Sequence, residues 1–463
     1  MTFGLEQHII DKIITVFEVN AKVDKAYVFG SRAKGNYRPD SDIDIAIKGN
    51  DITLDDILKM SMEFEDKGIK NKIDLLDYTN IKEPALQEHI DRVGIEFYSR
   101  WKEYRLGDVI TFQRGHDLTR TDMGIGKYPV AGSNGIIGYH NTFTTKGPGV
   151  TIGRSGSIGT PHYYENNFWA HNTVLYIKDF KVSEPKFIYY FLKTIDFSQF
   201  NAGSSVPTLN RNHIHELNFL LPPKTEQTAI ASILCSLDDK IDLLQRQNKT
   251  LEQMAETLFR QWFVEEAEEN WETVTIGQFV KTNHQSISKD YLFHEIEYLD
   301  TSSLTEGLIS ETQKIALKDA PSRAKRLVQN NDLLISTVRP DQKHYGIINN
   351  PIKNLVVSTG FCVITCTDID PHFIYLLLTS DEMTKYLHSI AEGSTSTYPS
   401  LKPSDIEKLE FLKPPKERLT EFGKLASTYW TKIHSNQKQI RTLTQTRDTL
   451  LPKLMSGEIR ITL

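Results

Sequence analysis

Cysteine is scarce in this chain of 463 residues: Cys235, Cys362 and Cys366 are the whole set. Three thiols make neither a disulfide framework nor a zinc set, so the expectation is a reduced, cytoplasmic protein with core thiols. Long hydrophobic runs are missing as well. A run such as FIYLLL at 373–378 is far shorter than the about 20 residues a bilayer span requires, which argues against a membrane protein. The stretch EQHIIDKIITVFEV at 6–19 carries acids along an amphipathic pattern and does not read as a secretory signal. Nor is there a surplus of positive charge. The formal net charge is −6, which excludes a simple basic coat for nucleic acid.

What the chain does have is repetition. WKEYRLGDVI at 101–110 returns as WETVTIGQFV at 271–280, and GSSVPTLNRNHIHELNFLLPPKTEQ at 203–227 returns as GSTSTYPSLKPSDIEKLEFLKPPKER at 393–418. Short apolar runs bounded by Gly, Asn and Pro, such as GVTIG, TVLYIK and DLLISTV, predict a β-rich region in each copy. A long helix comes after each. In the first, positions 230, 234, 237, 241, 244, 248, 251, 255, 258 and 262 alternate steps of four and three and form an apolar seam broken by Asn248. The equivalent seam from 422 to 454 admits Asn436 and Arg447. Residues 221–270 hold 5 basic and 10 acidic residues, whereas 413–463 hold 10 and 4. The two helices therefore attract each other within one chain. Each arm predicts a rod of roughly 55–60 Å, and antiparallel pairing predicts a ruler with a reader at each end.

On these features, residues 101–463 resemble the specificity (S) subunits of type I restriction–modification systems. The likeness rests on the repeated W-x4-[LI]-G opening and on Gly-Ser-x-Thr/Tyr-Pro before each helix. It rests equally on LLPPKTEQTAIASILCSLDDKI entering the first helix, and on LLPKLMSGEI near the end. YPVAGSNGIIGYHNTF and GVTIGRSGSIG in the first copy look like that family's target-recognition domains. So do DAPSRAKRLVQNNDLLISTVRPDQKH and VVSTGFCVI in the second. The resemblance implies a non-catalytic reader of double-stranded DNA. Each recognition domain reads half of a split, asymmetric site, and the coiled coil sets the gap. Two modification subunits, which bind S-adenosylmethionine and methylate adenine, dock on the arms, and restriction subunits can join. The chain itself has no Asn/Asp-Pro-Pro-Tyr/Phe methyltransferase run and no Walker A loop, so both activities belong to partners.

Base edges are read by Arg, Asn and Gln, while Lys and hydroxyls hold phosphate. The candidates in the first copy are Arg154 and Ser155 in GRSGS, with Asn134 and Arg114 behind them. In the second they are Arg323, Lys325 and Arg326 in SRAKR, and Arg339, Gln342, Lys343 and His344 in RPDQKH. His171 and His213 are expected as hydrogen-bonded histidines rather than ligands, and STSTYP at 394–399 as a loop returning to the helix.

The first hundred residues carry different chemistry. KAYVFG ends a strand at Gly30-Ser31, SDIDIAIKG puts Asp42 and Asp44 on one face of a second strand, and NKIDLLDY presents Asp74 from a third, with Asp77 on its opposite face. Helices are expected at 5–19, about 53–66 and about 82–92. Three carboxylates from adjacent strands make a hard-oxygen site suited to Mg²⁺. Gly30 and Ser31 offer backbone N–H groups and a hydroxyl to a nucleoside triphosphate, with Arg32, Lys34 and Arg38 adding positive charge. Gly-Ser, ten residues, then Asp-x-Asp resembles the minimal nucleotidyltransferases of the DNA polymerase β-like superfamily. That resemblance implies Ser31 on the phosphates, Asp42 and Asp44 as the metal pair, and Asp74 as the third carboxylate and base. Members of that branch attach adenylate to a partner protein's tyrosine. This opens a rival reading, in which the chain is a protein-modifying (AMPylating) nucleotidyltransferase that uses the repeat as a scaffold.

The expected architecture is thus α+β and multidomain. A nucleotidyltransferase-like α/β domain spans 1–100 and a first recognition domain 101–221. The central coiled-coil helix covers 222–264, a second recognition domain 271–413 and the C-terminal helix 414–463.

Overall fold

The computed structural model describes residues 3–200, 208–393 and 400–461. The loop expected at 394–399 and the Gly-Ser-Ser-Val-Pro segment before the first long helix lie outside the described residues. The chain divides into two compact units, Met1–Asp239 with Thr444–Leu463, and Lys240–Leu443.

In the first unit, α1 (Gln7–Val19), β1 (Val23–Val28), α2 (Gly30–Lys34), β2 (Ile43–Gly49), α3 (Leu54–Asp66), β3 (Ile73–Asp77), α4 (Pro84–Val93) and β4 (Ile95–Ser99) follow in order. The sheet runs β3-β2-β1-β4, with β2 and β3 parallel and the other pairs antiparallel. Alternation decides what each face does. Ile43, Ile45 and Ile47 are fully buried in one cluster with Ile13, Val16 and Phe17 of α1, while Ala46 packs with Phe29 and with Ile90 of α4. Helix α3 starts at a capping box: the Thr53 hydroxyl accepts from the Asp56 N–H, and the Asp56 carboxylate accepts from the Thr53 N–H at 2.8 Å. Strand β4 is not among the elements expected from sequence. It completes the sheet and runs almost directly into β5 (Lys102–Arg105), so no long linker separates the α/β layer from the first repeat.

The repeat is also a repeat of topology. After β5 and the short α5 (Leu106–Val109) come β6 (Thr111–Arg114), β7 (Tyr128–Gly132), β8 (Gly135–His140), β9 (Gly149–Gly153), β10 (Pro161–Tyr164), β11 (Trp169–Ala170) and β12 (Val174–Asp179). Then α6 (Pro185–Lys193), α7 (Arg211–His215) and β13 (Asn218–Leu221) lead into the long α8 (Lys224–Arg260). One sheet runs β10-β9-β12-β6 and a second β11-β7-β8.

In the other unit, β14 (Thr273–Thr275), β15 (Val280–Thr282), β16 (Glu295–Leu299), β17 (Leu304–Thr305), β18 (Leu308–Ile309), β19 (Gln313–Ala316), β20 (Ala324–Leu327), β21 (Leu333–Ser336), β22 (Tyr345–Ile347), β23 (Leu355–Ser358) and β24 (Phe361–Cys366) precede α9 (Pro371–Thr379), α10 (Asp381–Glu392), α11 (Pro403–Glu407), β25 (Glu410–Leu412) and α12 (Lys416–Ser456). Its main sheet, β22-β21-β24-β15, matches β10-β9-β12-β6 strand for strand. The parallel pair β16/β23 matches β7/β11, and β20 is an added edge strand. In each copy the W-x4-[LI]-G opening pairs with the strand that feeds the long helix, β5 with β13 and β14 with β25. A side chain on Gly107 would crowd His215, and one on Gly277 would crowd Glu407. The same close contact thus recurs in the second copy, with the glycines 170 residues apart and their partners 192.

The long helices run antiparallel within each unit. In the first, Asp238 of α8 meets Arg447 of α12 at 2.7 Å, and Ile230 and Leu234 share a core with Leu454. In the second, Phe263 packs edge-on against Phe422 at 5.0 Å and the buried Asn436 donates to Asn248 at 2.9 Å. Near the end of α8 the seam departs from the expected spacing. Leu258 and Trp262 are only partly buried, while Phe259 and Phe263 are in the core. The shift is already in place at Phe259, within regular α-helix, and the last turn, Gln261–Glu265, then widens into a π-helix.

Candidate nucleotide site and candidate DNA interface

Parallel pairing of β2 and β3 sets Asp44 opposite Asp74, on the face that period two also gives Asp42. Phe29 N–H donates to the Asp44 carbonyl at 3.0 Å, which brings the Gly30-Ser31 turn to the same strand end. Gly30 adopts φ +69°, and a Cβ there would stand 2.0 Å from Asp44 Oδ2. The turn thus lies directly on the carboxylate. Burial raises the Asp44 carboxyl above its ordinary range, and the neighbouring charges of Asp74 and Asp42 raise it further. Within this face sits Lys72, whose Nζ is 2.6 Å from Asp74 Oδ1 and 3.9 Å from Asp42 Oδ2. Among the described residues, no three His, Cys, Asp or Glu side chains are gathered tightly enough to hold a metal ion. The donor chemistry suits a hard cation.

Arg32 is a correction. It is 2% exposed, and its guanidinium donates to the carbonyls of Phe3, Pro39, Ser41 and Asp42. It braces the loop that delivers Asp42 rather than reaching toward a nucleotide. Asp77 accepts from Thr79 N–H and Asn80 Nδ2 on the other side of β3, as its odd spacing requires.

In the first repeat, three loops converge on the Thr173 carbonyl. It accepts from Arg154 N–H at 2.8 Å, Ser155 N–H at 3.3 Å and the Ser133 hydroxyl at 2.9 Å. The exposed Asn134 adjoins Ser133 in the β7–β8 turn, so Asn134, Arg154 and Ser155 lie close together. Arg114 joins them indirectly: Asp117 accepts from Arg114 Nη2 at 3.2 Å and from the Asn172 amide. Sequence reasoning misses Ser133, Thr173, Asp117 and Asn172. Ser133 is signalled only by its place beside Asn134 in GSNG, whereas nothing local marks the others. His171 is hydrogen-bonded to Thr173 Oγ1 and the Leu118 carbonyl.

In the second repeat, the candidates fall on two segments that flank the turn between β23 and β24. Thr359 N–H donates to the Arg323 carbonyl and Thr337 N–H to the Gly360 carbonyl, both at 2.8 Å. Arg323 and Lys325 are exposed. Arg326 is partly buried, with Nη1 at 3.4 Å from Ser286 Oγ. Arg339 and Lys343 take left-handed backbone at φ 49° and 56°, at the two ends of the turn that carries the exposed Gln342. Lys343 is a second correction, because its ammonium is held by Asp381 at 3.0 Å and Glu306 at 3.4 Å. His344 Nδ1 likewise lies within hydrogen-bond distance of Thr305 Oγ1 and the Leu304 carbonyl. Among the described residues, no helix is long and apolar enough to cross a membrane.

Comparison with known proteins meets this geometry at both parts of the chain. The family of polymerase β nucleotidyltransferases matches residues 11–103. The type I restriction modification DNA specificity domain matches twice, at 98–253 and 268–445. The type I restriction enzyme MjaIX specificity subunit of Methanocaldococcus jannaschii is 30% identical over 315 residues, 61% of this chain and 71% of that protein. The HindI specificity subunit of Haemophilus influenzae is 25% identical over 357 residues, 59% and 77% of the two. The crystal structure of an S subunit from M. genitalium aligns with a TM-score of 0.54 over 77% of this chain and 96% of that one, at 18% identity, which shows the fold. The chain belongs to the type I restriction–modification DNA specificity family, with a nucleotidyltransferase domain of the polymerase β kind at its front.

Proposed function

We propose that this chain reads a bipartite, asymmetric double-stranded DNA site, one half with each repeat, and docks two modification subunits on its long helices. The observation that carries this reading is the duplication of one sheet topology with one antiparallel helix pairing in each unit. Restriction subunits join through the same assembly, and S-adenosylmethionine enters only with the modification subunits. In the first repeat the reading surface is the cluster of Arg114, Asn134, Arg154 and Ser155. In the second it is Arg323, Lys325, Arg339 and Gln342, with Arg326 partly turned away.

The front domain is a nucleotidyltransferase in this reading. Asp42, Asp44 and Asp74 would hold Mg²⁺, which activates an attacking hydroxyl and neutralises leaving pyrophosphate. The Gly30-Ser31 turn would approach the triphosphate, and Asp74 would accept the hydroxyl proton. Placement of Gly30 on Asp44 supports this, since a side chain at this position would run into the Asp44 carboxylate.

One experiment separates the two halves of the reading. The chain is mixed with its modification subunit, Mg²⁺ and α-labelled nucleoside triphosphates, and DNA binding is followed in parallel. Arg154→Ala is expected to relax one half of the recognised site and leave the other, and Asp42→Asn to abolish label while DNA binding stays intact. Label without any DNA sequence preference would favour the rival reading, a protein-modifying enzyme on a scaffold.

A further inference from the structure

The Gly-Ser and Asp-x-Asp pattern has no place for a lysine, yet Lys72 stands in the middle of its carboxylates. Its position comes from two periodicities. Lys72 and Asp74 alternate onto one face of the β3 end, Asp42 and Asp44 onto the same face of β2, and the Asp44–Asp74 register then puts Lys72 across from Asp42. The Ile43 N–H donates to the Lys72 carbonyl at 2.8 Å, which fixes that register beyond the end of the strand. All three aspartates act electrostatically on the ammonium, and the contact with Asp74 is a direct hydrogen bond. An ammonium has donors only, so it occupies the same lone pairs a divalent cation would need.

We propose that Lys72 is a built-in counter-cation of the carboxylate face: it holds Asp42 and Asp74 in the metal-free protein and a divalent cation must displace it. This rests on the nucleotidyltransferase reading of that face. Without the lysine, three carboxylates would crowd one strand end, which the raised Asp44 carboxyl already registers. With it, the resting site is partly neutralised and closed to weakly held metals.

The test uses the full chain and Mn²⁺ alone, with binding followed by electron paramagnetic resonance and calorimetry, and no turnover involved. Lys72 is an exposed side chain, so Lys72→Met should leave the fold intact. That variant is expected to bind Mn²⁺ about two- to fivefold more tightly, as suits the loss of one solvent-exposed ionic competitor. Lys72→Arg keeps a competing cation and should bind no tighter than the parent. Equal or weaker binding by Lys72→Met overturns the proposal. Asp42→Asn, added to either protein, should remove the Mn²⁺ signal. Persistence of the signal in Asp42→Asn means that the metal sits elsewhere and the reading of the face itself has failed. No signal from any variant overturns both.

Discussion

Gly30 carries more of the proposed nucleotide site than its size suggests. Its backbone is left-handed, and the space its missing side chain leaves is filled by the Asp44 carboxylate. Gly30→Ala therefore strains the turn and pushes Asp44 off the shared face. We predict that it lowers nucleotide transfer to background while sequence-specific DNA binding is kept, with α-label incorporation and gel shift as the two readouts. The carboxylates are legible in sequence because period-two alternation is a local rule, and β2 and β3 obey it. Arg32 is not, because what buries it is Phe3 and the carbonyls of the 39–42 loop, none of which spacing reveals. The same holds for Lys343, which finds Glu306 and Asp381 only once β17, β18 and α10 have packed. Basic residues in a motif invite assignment to a ligand; their partners are decided by tertiary structure.

The long helices are the most legible elements, since an apolar seam repeated over ten positions has few alternatives. Their ends are less so. A strict alternation of four and three assumes 3.5 residues per turn, and two successive steps of four, Ala255 to Phe259 to Phe263, break it near the end of α8. The helices α6 and α9 inside the repeats escape the sequence because their apolar residues, FIYLLL among them, form dense runs that suit a strand as well. Within the seam, Asn248 and Asn436 look like two defects in sequence and are one contact in the structure. A buried amide pair costs little when both members are present, and a lone survivor bears the whole desolvation penalty. Asn436→Leu should thus destabilise the second unit by about 1–3 kcal/mol. Leucine at both positions should recover most of that loss. A double-mutant cycle by thermal unfolding measures the coupling, and additive effects would mean that the amides do not act as a pair. The double variant is also expected to tolerate a shifted pairing of α8 and α12, since the seam would lose this polar register mark.

At the scale of the chain, the front domain is tied to the rest by its far end in sequence. Arg460 is 13% exposed and bridges three segments of the first unit. It donates to both oxygens of Glu226 at 2.7 and 2.8 Å, pairs with Asp24 at 2.6 Å, and lies 5.4 Å from the centre of the Trp101 ring. Asp24 lies in β1 of the nucleotidyltransferase sheet, Trp101 opens the first repeat, and Glu226 stands in the first turn of α8. Arg100 adds a second tie, donating to the carbonyls of Val23 and Asn20. Glu226 is only 2% exposed, so removing its partner leaves a buried charge uncompensated. The expected cost is about 3–5 kcal/mol, felt locally, since the Arg460 guanidinium serves both oxygens of that carboxylate. Arg460→Ala should therefore raise hydrogen exchange in residues 20–27 and 99–105 and leave 271–412 unchanged. Arg460→Lys should fall between, because a point charge cannot bridge two carboxylates as a planar fork does. If exchange rose evenly along the chain, the tie would be a matter of general stability. Confined to the junction, it makes the C-terminal residues the fastening of a nucleotidyltransferase domain to a specificity repeat, so that a change in either can be felt by the other.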